Sequence, residues 1–213
     1  MKNRIIAALI GVMVLATACG GAKDNTESSS ASESSSVVES TVESTVESTT
    51  ESSVADSESG QEVWSEEMNA LKEAVVAELG ENYWPNMSLD KEMLESVCGV
   101  TEDMVADYMG EMPMISVNVD TMIIVKPVQG KEDEVFQALT AYRDNLVNNS
   151  MQYPMNIGKI QASVVENVDG YVCFLLLGGN TMAEQEQGDA AVLAKCQADN
   201  EKALSAIKAA LAK

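Results

Sequence analysis

The sequence predicts an α+β fold, a small and mainly antiparallel sheet with helices packed on it, carried behind an unstructured N-terminal tether. Three observations lead there. Apolar stripes of helical period open and close the C-terminal part of the chain. Between them lie apolar or alternating runs of strand length. The last of these runs, residues 171–177, is apolar on both faces, as a central strand covered by helices must be. The chain divides accordingly into a leader at 1–18, a tether at 19–62 and a single α+β domain at 63–213.

The leader has Lys2 and Arg4 ahead of an apolar run at 5–15, followed by small residues. That is the layout of a secretory signal, and the run is too short for a membrane span of about 20 residues. It ends in Leu15-Ala16-Thr17-Ala18-Cys19-Gly20, which resembles the lipobox of bacterial lipoproteins. Cleavage before Cys19 and lipidation of its sulfur are expected, and two acyl chains suffice for a stable anchor. The mature protein is then expected on the extracytoplasmic face of the cell membrane, held by lipid and not spanning it. A plain signal peptide cut after Ala18 is the alternative.

The tether is rich in Ser, Thr, Glu and Val, and Val38-Glu39-Ser40-Thr41 recurs twice more up to Thr49. Such a segment buries too little apolar surface to offset the entropy of ordering it. It is expected to be a disordered spacer, with a reach between about 35–40 Å as a coil and several times that when its carboxylates extend it. A sugar-modified stalk or an interaction segment fits the same composition.

In the domain, Ser65 caps a helix whose Met68, Leu71, Val75 and Leu79 form one face, with Trp64 folding back onto it and Gly80 ending it. A second short helix is expected over 89–97 with Gly99 as its C-cap, and a third from Thr101 through Met104, Val105, Tyr108 and Met109. The alternation of Ile115, Val117 and Val119, followed by the apolar run 122–125, predicts the first strand or a bent pair. Gln129-Gly130 turns the chain into a long helix over 131–148 with Val135, Leu139, Tyr142 and Leu146 as its stripe. Glu132, Asp133 and Glu134 in its first turn complement the helix dipole; a metal site is the sharper reading of the same triplet. Runs at 160–166 and 171–177 flank Asn167-Val168-Asp169-Gly170, a hairpin with Asp-Gly at its turn. After Gly178-Gly179 and a polar loop, residues 189–212 are expected to be helical with Leu193, Cys196, Ala203, Leu204, Ile207 and Leu211 inward.

Gly99-Val100-Thr101-Glu102-Asp103, the run 119–126, Gly130-Lys131, Tyr153-Pro154 and Gly170-Tyr171-Val172 together resemble the Domain of Unknown Function family 4358 over about 83–180. The resemblance implies a lipoprotein of Firmicutes, especially clostridia. It carries over no catalytic or binding residue. Pro127 and Val128, where small or charged residues are expected, and the high Met content depart from the family's pattern.

Composition narrows the chemistry. A net charge of −21 repels nucleic acid and anionic headgroups, so no nucleic-acid partner is expected. The absence of histidine removes Ser-His-Asp and Cys-His nucleophilic sites, HExxH peptidases and most zinc sites. Beyond Cys19 the cysteines are Cys98, Cys173 and Cys196; Cys173 reads as a buried small hydrophobe, and a Cys98–Cys196 bridge is one arrangement open in an oxidising location. Met109, Met112 and Met114, with Met151 and Met155 as a second pair, have the softness to hold Cu(I) outside the cytoplasm; the plainer reading is gap-filling in the core. Asp103, Asp107 and Glu111 at fourfold spacing read as a solvated helix face. Tyr83-Trp84-Pro85 and Tyr153-Pro154 either line a groove for peptide or glycan or plug the core. No nucleophile motif is present, and no enzyme and no cofactor are expected. The expected function is that of a membrane-anchored surface lipoprotein whose domain binds a protein, peptide or cell-wall partner without catalysis. An extracytoplasmic Cu(I)-binding protein is the alternative, and a scaffold without a ligand a third reading.

Overall fold

A computed structural model describes residues 64–149 and 151–213. The expectations for the leader, Cys19 and the tether lie outside the described residues. Among these residues no helix is long and apolar enough to cross a membrane.

Helix α1 (Glu66–Leu79) starts at Ser65, whose hydroxyl accepts the Met68 N–H at 3.1 Å, and it buries Met68, Leu71, Val75 and Leu79 as its spacing demands. A 3₁₀ turn at Gly80–Asn82 leads to the two-residue strand β1 (Met87–Ser88) and to α2 (Lys91–Cys98). Asp90 caps α2 through the Met93 N–H, and Gly99 closes it in the left-handed region at φ 72°.

The third helix expected from Thr101 does not form. Only a 3₁₀ turn occupies Glu102–Met104, and Val105–Met112 is strand β2. The strand is covered on both faces, so Tyr108 and Met109 are both buried and the two-residue alternation that marks a strand is erased. Residues 113–120 are likewise not the first half of a strand. They form the connection between β2 and β3 (Thr121–Pro127), with Ile115 and Val117 exposed and the Asn118 N–H turning back to the Ile115 carbonyl.

The long helix α3 (Glu132–Asn149) begins at its acidic triplet and buries Val135 and Leu139. Helix α4 (Pro154–Ala162) follows, with Pro154 in its first turn, where the missing N–H costs nothing. It takes up the residues expected to open a strand at 160, so β4 (Val164–Val168) starts later. Asp169 and Gly170, at φ 50° and 87°, turn β4 tightly into β5 (Tyr171–Leu176). The short helix α5 (Met182–Gln185) and the long α6 (Asp189–Leu211) complete the chain.

The five strands form one antiparallel sheet in the order β1-β2-β3-β5-β4. Ile124 of β3 stands between Met109 and Cys173 at the middle of the register. Helices α1 and α6 cover one face around Met68, Val75, Met109, Cys173 and Ile207. The opposite core gathers Leu94, Cys98, Ile123, Val135, Leu139 and Phe174, with the Tyr142 ring edge-on to Phe174 at 5.1 Å. Strand β5 is buried along its whole length, as its two-sided apolar sequence requires. Cys98, Cys173 and Cys196 are free thiols in three separate clusters, so the Cys98–Cys196 bridge is not formed.

Candidate functional site

At one end of the sheet, β5 runs out into Leu177-Gly178-Gly179, and side chains hold all three N–H groups of that short segment and the carbonyls of Gly178 and Gly179. The carboxylate of Asp120, just ahead of β3, accepts the N–H groups of Gly178 and Gly179 through one oxygen, at 2.8 and 2.7 Å. Its other oxygen receives the Lys159 ammonium at 2.5 Å. Lys159, reaching from α4, also donates to the Gly179 carbonyl at 2.7 Å and lies 4.8 Å from the centre of the Trp84 ring. From α6, Lys195 donates to the Gly178 carbonyl, while Asn200 accepts the Leu177 N–H and donates to the Ala162 carbonyl. Asp120 is 0 % and Lys159 3 % exposed. Such a pair persists in the interior only because each partner is met by the other and by further hydrogen bonds.

Glycine is required at both positions of this segment. A Cβ on Gly178 would lie 2.6 Å from the Cys196 sulfur. One on Gly179, whose φ is +50°, would lie 2.6 Å from the Asn82 backbone. The segment is thus clamped between α6, α4 and the turn after α1, and it forms the floor of a groove.

Over that floor the groove is walled by Trp84, Val117, Met155 and Met182, with Asn118, Asn156, Asn180, Thr181 and Gln185 among them, and it encloses about 400 Å³. Trp84 is 40 % exposed and is fixed by its own N–H, which donates to the Glu81 carbonyl at 3.0 Å. Two further depressions adjoin it. One shares Trp84, Val117 and Asn118 and adds Tyr83, Pro85, Pro113 and Ile115. The other shares Met155 and Gln185 and adds Tyr153, Gly158 and Asp189. Tyr83, Trp84 and Tyr153 therefore fall along one continuous surface. Their roles differ: Trp84 is a wall, Tyr153 an exposed rim, and the Tyr83 hydroxyl turns inward to donate to Glu111 at 2.6 Å.

Glu111 corrects another expectation. Rather than lining a solvated helix face with Asp103 and Asp107, it is buried on β2, where Lys72 of α1 meets its second oxygen at 2.6 Å. Asp107 instead accepts the Ser65 hydroxyl. Burial, reinforced by the Glu111 charge, raises the Tyr83 phenol above the ordinary tyrosine range.

The methionine cluster is not assembled. Met109 packs in the core beneath α1 and α6, Met112 packs on the opposite side of the sheet, and Met114 is exposed beyond the strand. Among the described residues no three Cys, Asp or Glu side chains converge as a metal site would require.

The residues that build the floor were not singled out by sequence reasoning. Asp120 and Lys159 carry one usable signal, a lone charge inside an apolar segment, which needs a counter-ion when the segment is buried.

The family model described as Domain of unknown function (DUF4358) matches residues 78–177. Over that segment, just under half of the chain, the sequence is similar to the DUF4358 family. The DUF4358 segment runs from the last turn of α1 to the residue after β5 and so contains Trp84, Asp120 and Lys159. Gly178, Gly179, Met182 and the whole of α6 lie beyond it. No curated protein and no solved structure matches the chain.

Proposed function

We propose that this protein is a lipid-anchored, extracytoplasmic binding module that holds a partner in the groove beside Trp84 and performs no catalysis. The observation that carries the reading is a run of exposed large apolar side chains, Trp84, Ile115, Val117, Met155 and Met182, along one concave surface over a rigid floor. Contiguous exposed apolar surface of this kind marks interaction sites in soluble domains. The charges at the site do structural work: Lys159 and Asp120 neutralise one another below the groove and hold its floor. The anchor follows from the lipobox at Cys19, and the Ser/Thr/Glu-rich stretch after it supplies the spacer.

The test is made in the native host. A photoactivatable crosslinker attached at Met182→Cys on intact cells is expected to give a discrete adduct that Trp84→Ala abolishes. Cys19→Ala is expected to release the protein from membranes. Turnover of a peptide or cell-wall substrate, lost on changing a single carboxylate or cysteine, would overturn the non-catalytic reading, and a Cys19→Ala chain that stays on membranes would overturn the anchor.

A further inference from the structure

We infer that the groove ligand is an uncharged, extended peptide segment that seats one large apolar side chain against Trp84; this rests on the groove being the binding site. The first argument is charge. The chain has 34 acidic residues, yet the walls of the groove and of the depression on its Trp84 side carry no carboxylate, Asp189 standing only in the depression on the Met155 side, and the one cation in the groove, Lys159, is neutralised from beneath by Asp120. A surface cleared of like charge in so acidic a protein accepts a neutral segment without desolvating an ion.

The second argument is hydrogen bonding. Asn118 uses its carbonyl on the Val119 and Asp120 N–H groups, and Asn180 uses its own on the Met182 N–H. Asn156 spends its N–H₂ on the Val117 carbonyl. Among the described residues this leaves the Asn118 and Asn180 amide donors and the Asn156 acceptor without partners. Donors and an acceptor set around an apolar pocket match the N–H and C=O groups of a peptide backbone. A hydrocarbon chain would cover these amides and leave them unpaired, a cost that a peptide avoids. A saccharide would satisfy them, but its hydroxyls would be buried against Val117, Met155 and Met182, which offer nothing in return. Methionine walls also adapt to the shape of an aliphatic or aromatic side chain.

The test uses the mature chain from residue 19 carrying Cys19→Ala, labelled with ¹⁵N. Its only indole N–H signals come from Trp64, in the core, and Trp84, in the groove. The probes are acetyl-Ala-Ala-Leu-Ala-Ala-amide, the same peptide with glutamate at both ends, a chitotetraose and 1-octanol. The neutral peptide is expected to move the Trp84 signal and not that of Trp64, and to bind at least tenfold more tightly than the glutamate-flanked one. Met182→Glu, at a side chain 72 % exposed and so free to change without unfolding the domain, is expected to weaken it at least tenfold while Met182→Leu retains it. A Trp84 signal that no peptide moves overturns the peptide assignment. If the saccharide or octanol moves it in that case, the groove still binds and only the ligand class is wrong.

Discussion

Lys159 is an ammonium taken out of water at the bottom of an apolar groove, and the energetics of that placement decide what its loss would do. Lys159→Met removes the charge but keeps the length of the stem, so the change is felt by Asp120, left buried without its counter-ion and with the two glycine N–H groups alone. Breaking such a pair costs about 3–5 kcal/mol, whereas replacing both partners by neutral groups recovers much of it. Urea unfolding should therefore show a loss of that size for Lys159→Met and a smaller one for the Asp120→Asn, Lys159→Met double variant. Trp84 emission should shift in both, because the ammonium lies over its ring. The buried thiols make a second residue-scale statement. Burial pushes Cys98 and Cys173 up to about 12 and Cys196 to about 11, against an ordinary 9.0. Folded pKa values above the unfolded ones give stability that is fully present below pH 9 and is lost as pH rises through 11 to 12, because only the unfolded chain releases those protons. The unfolding free energy of the Cys19→Ala chain should fall between pH 8 and 10.5. A thiol reagent at pH 8 should label none of the three before denaturation, and rapid labelling would contradict the burial.

At the scale of elements, legibility followed how much of each element's information was local. Helix α1 was readable because its cap, its stripe and its terminator are all within Ser65, Leu79 and Gly80. The turn between β4 and β5 was readable because Asp169 and Gly170 alone supply the positive φ values it needs. Strand β2 was not. Thr101 with Glu102 and Asp103 mimics a capped helix start, and two-sided burial hides the strand period, so Val105 pairs with Pro127 only because β3 offers the edge. The candidate site divides the same way. Trp84 and Tyr153 announce themselves as aromatic residues beside proline. Asp120 and Lys159, 39 positions apart, become partners only when α4 is laid against the loop before β3, and no spacing in the sequence encodes that meeting. Glu111 was misplaced for the same reason, since its partners Lys72 and Tyr83 come from across the sheet.

At the scale of the whole molecule, the two ends of the sheet gather different groups. The chain enters the domain where Ser65 meets Asp107 and where Glu67 holds Lys126 at 2.7 Å, beside Tyr171 at the hairpin end of β5. Helix α1 then runs its 14 residues, about 21 Å, to deliver Trp84 to the opposite end. The proposal of a spacer then makes a measurable demand. In a chain carrying Met182→Cys, the engineered thiol stands at the mouth of the groove, while Cys98, Cys173 and Cys196 are buried and Cys19 is proposed to be lipidated. A membrane-impermeant maleimide on intact cells should label it readily. Deleting residues 24–60 should keep the protein on the membrane and keep its unfolding free energy, because the deletion touches no residue of the sheet or its helices, yet slow the labelling several-fold as the domain is drawn down among the polymers next to the bilayer. Equal labelling of the long and short chains would show that the tether does not set the height of the groove, and would turn attention to the tether itself as a binding segment.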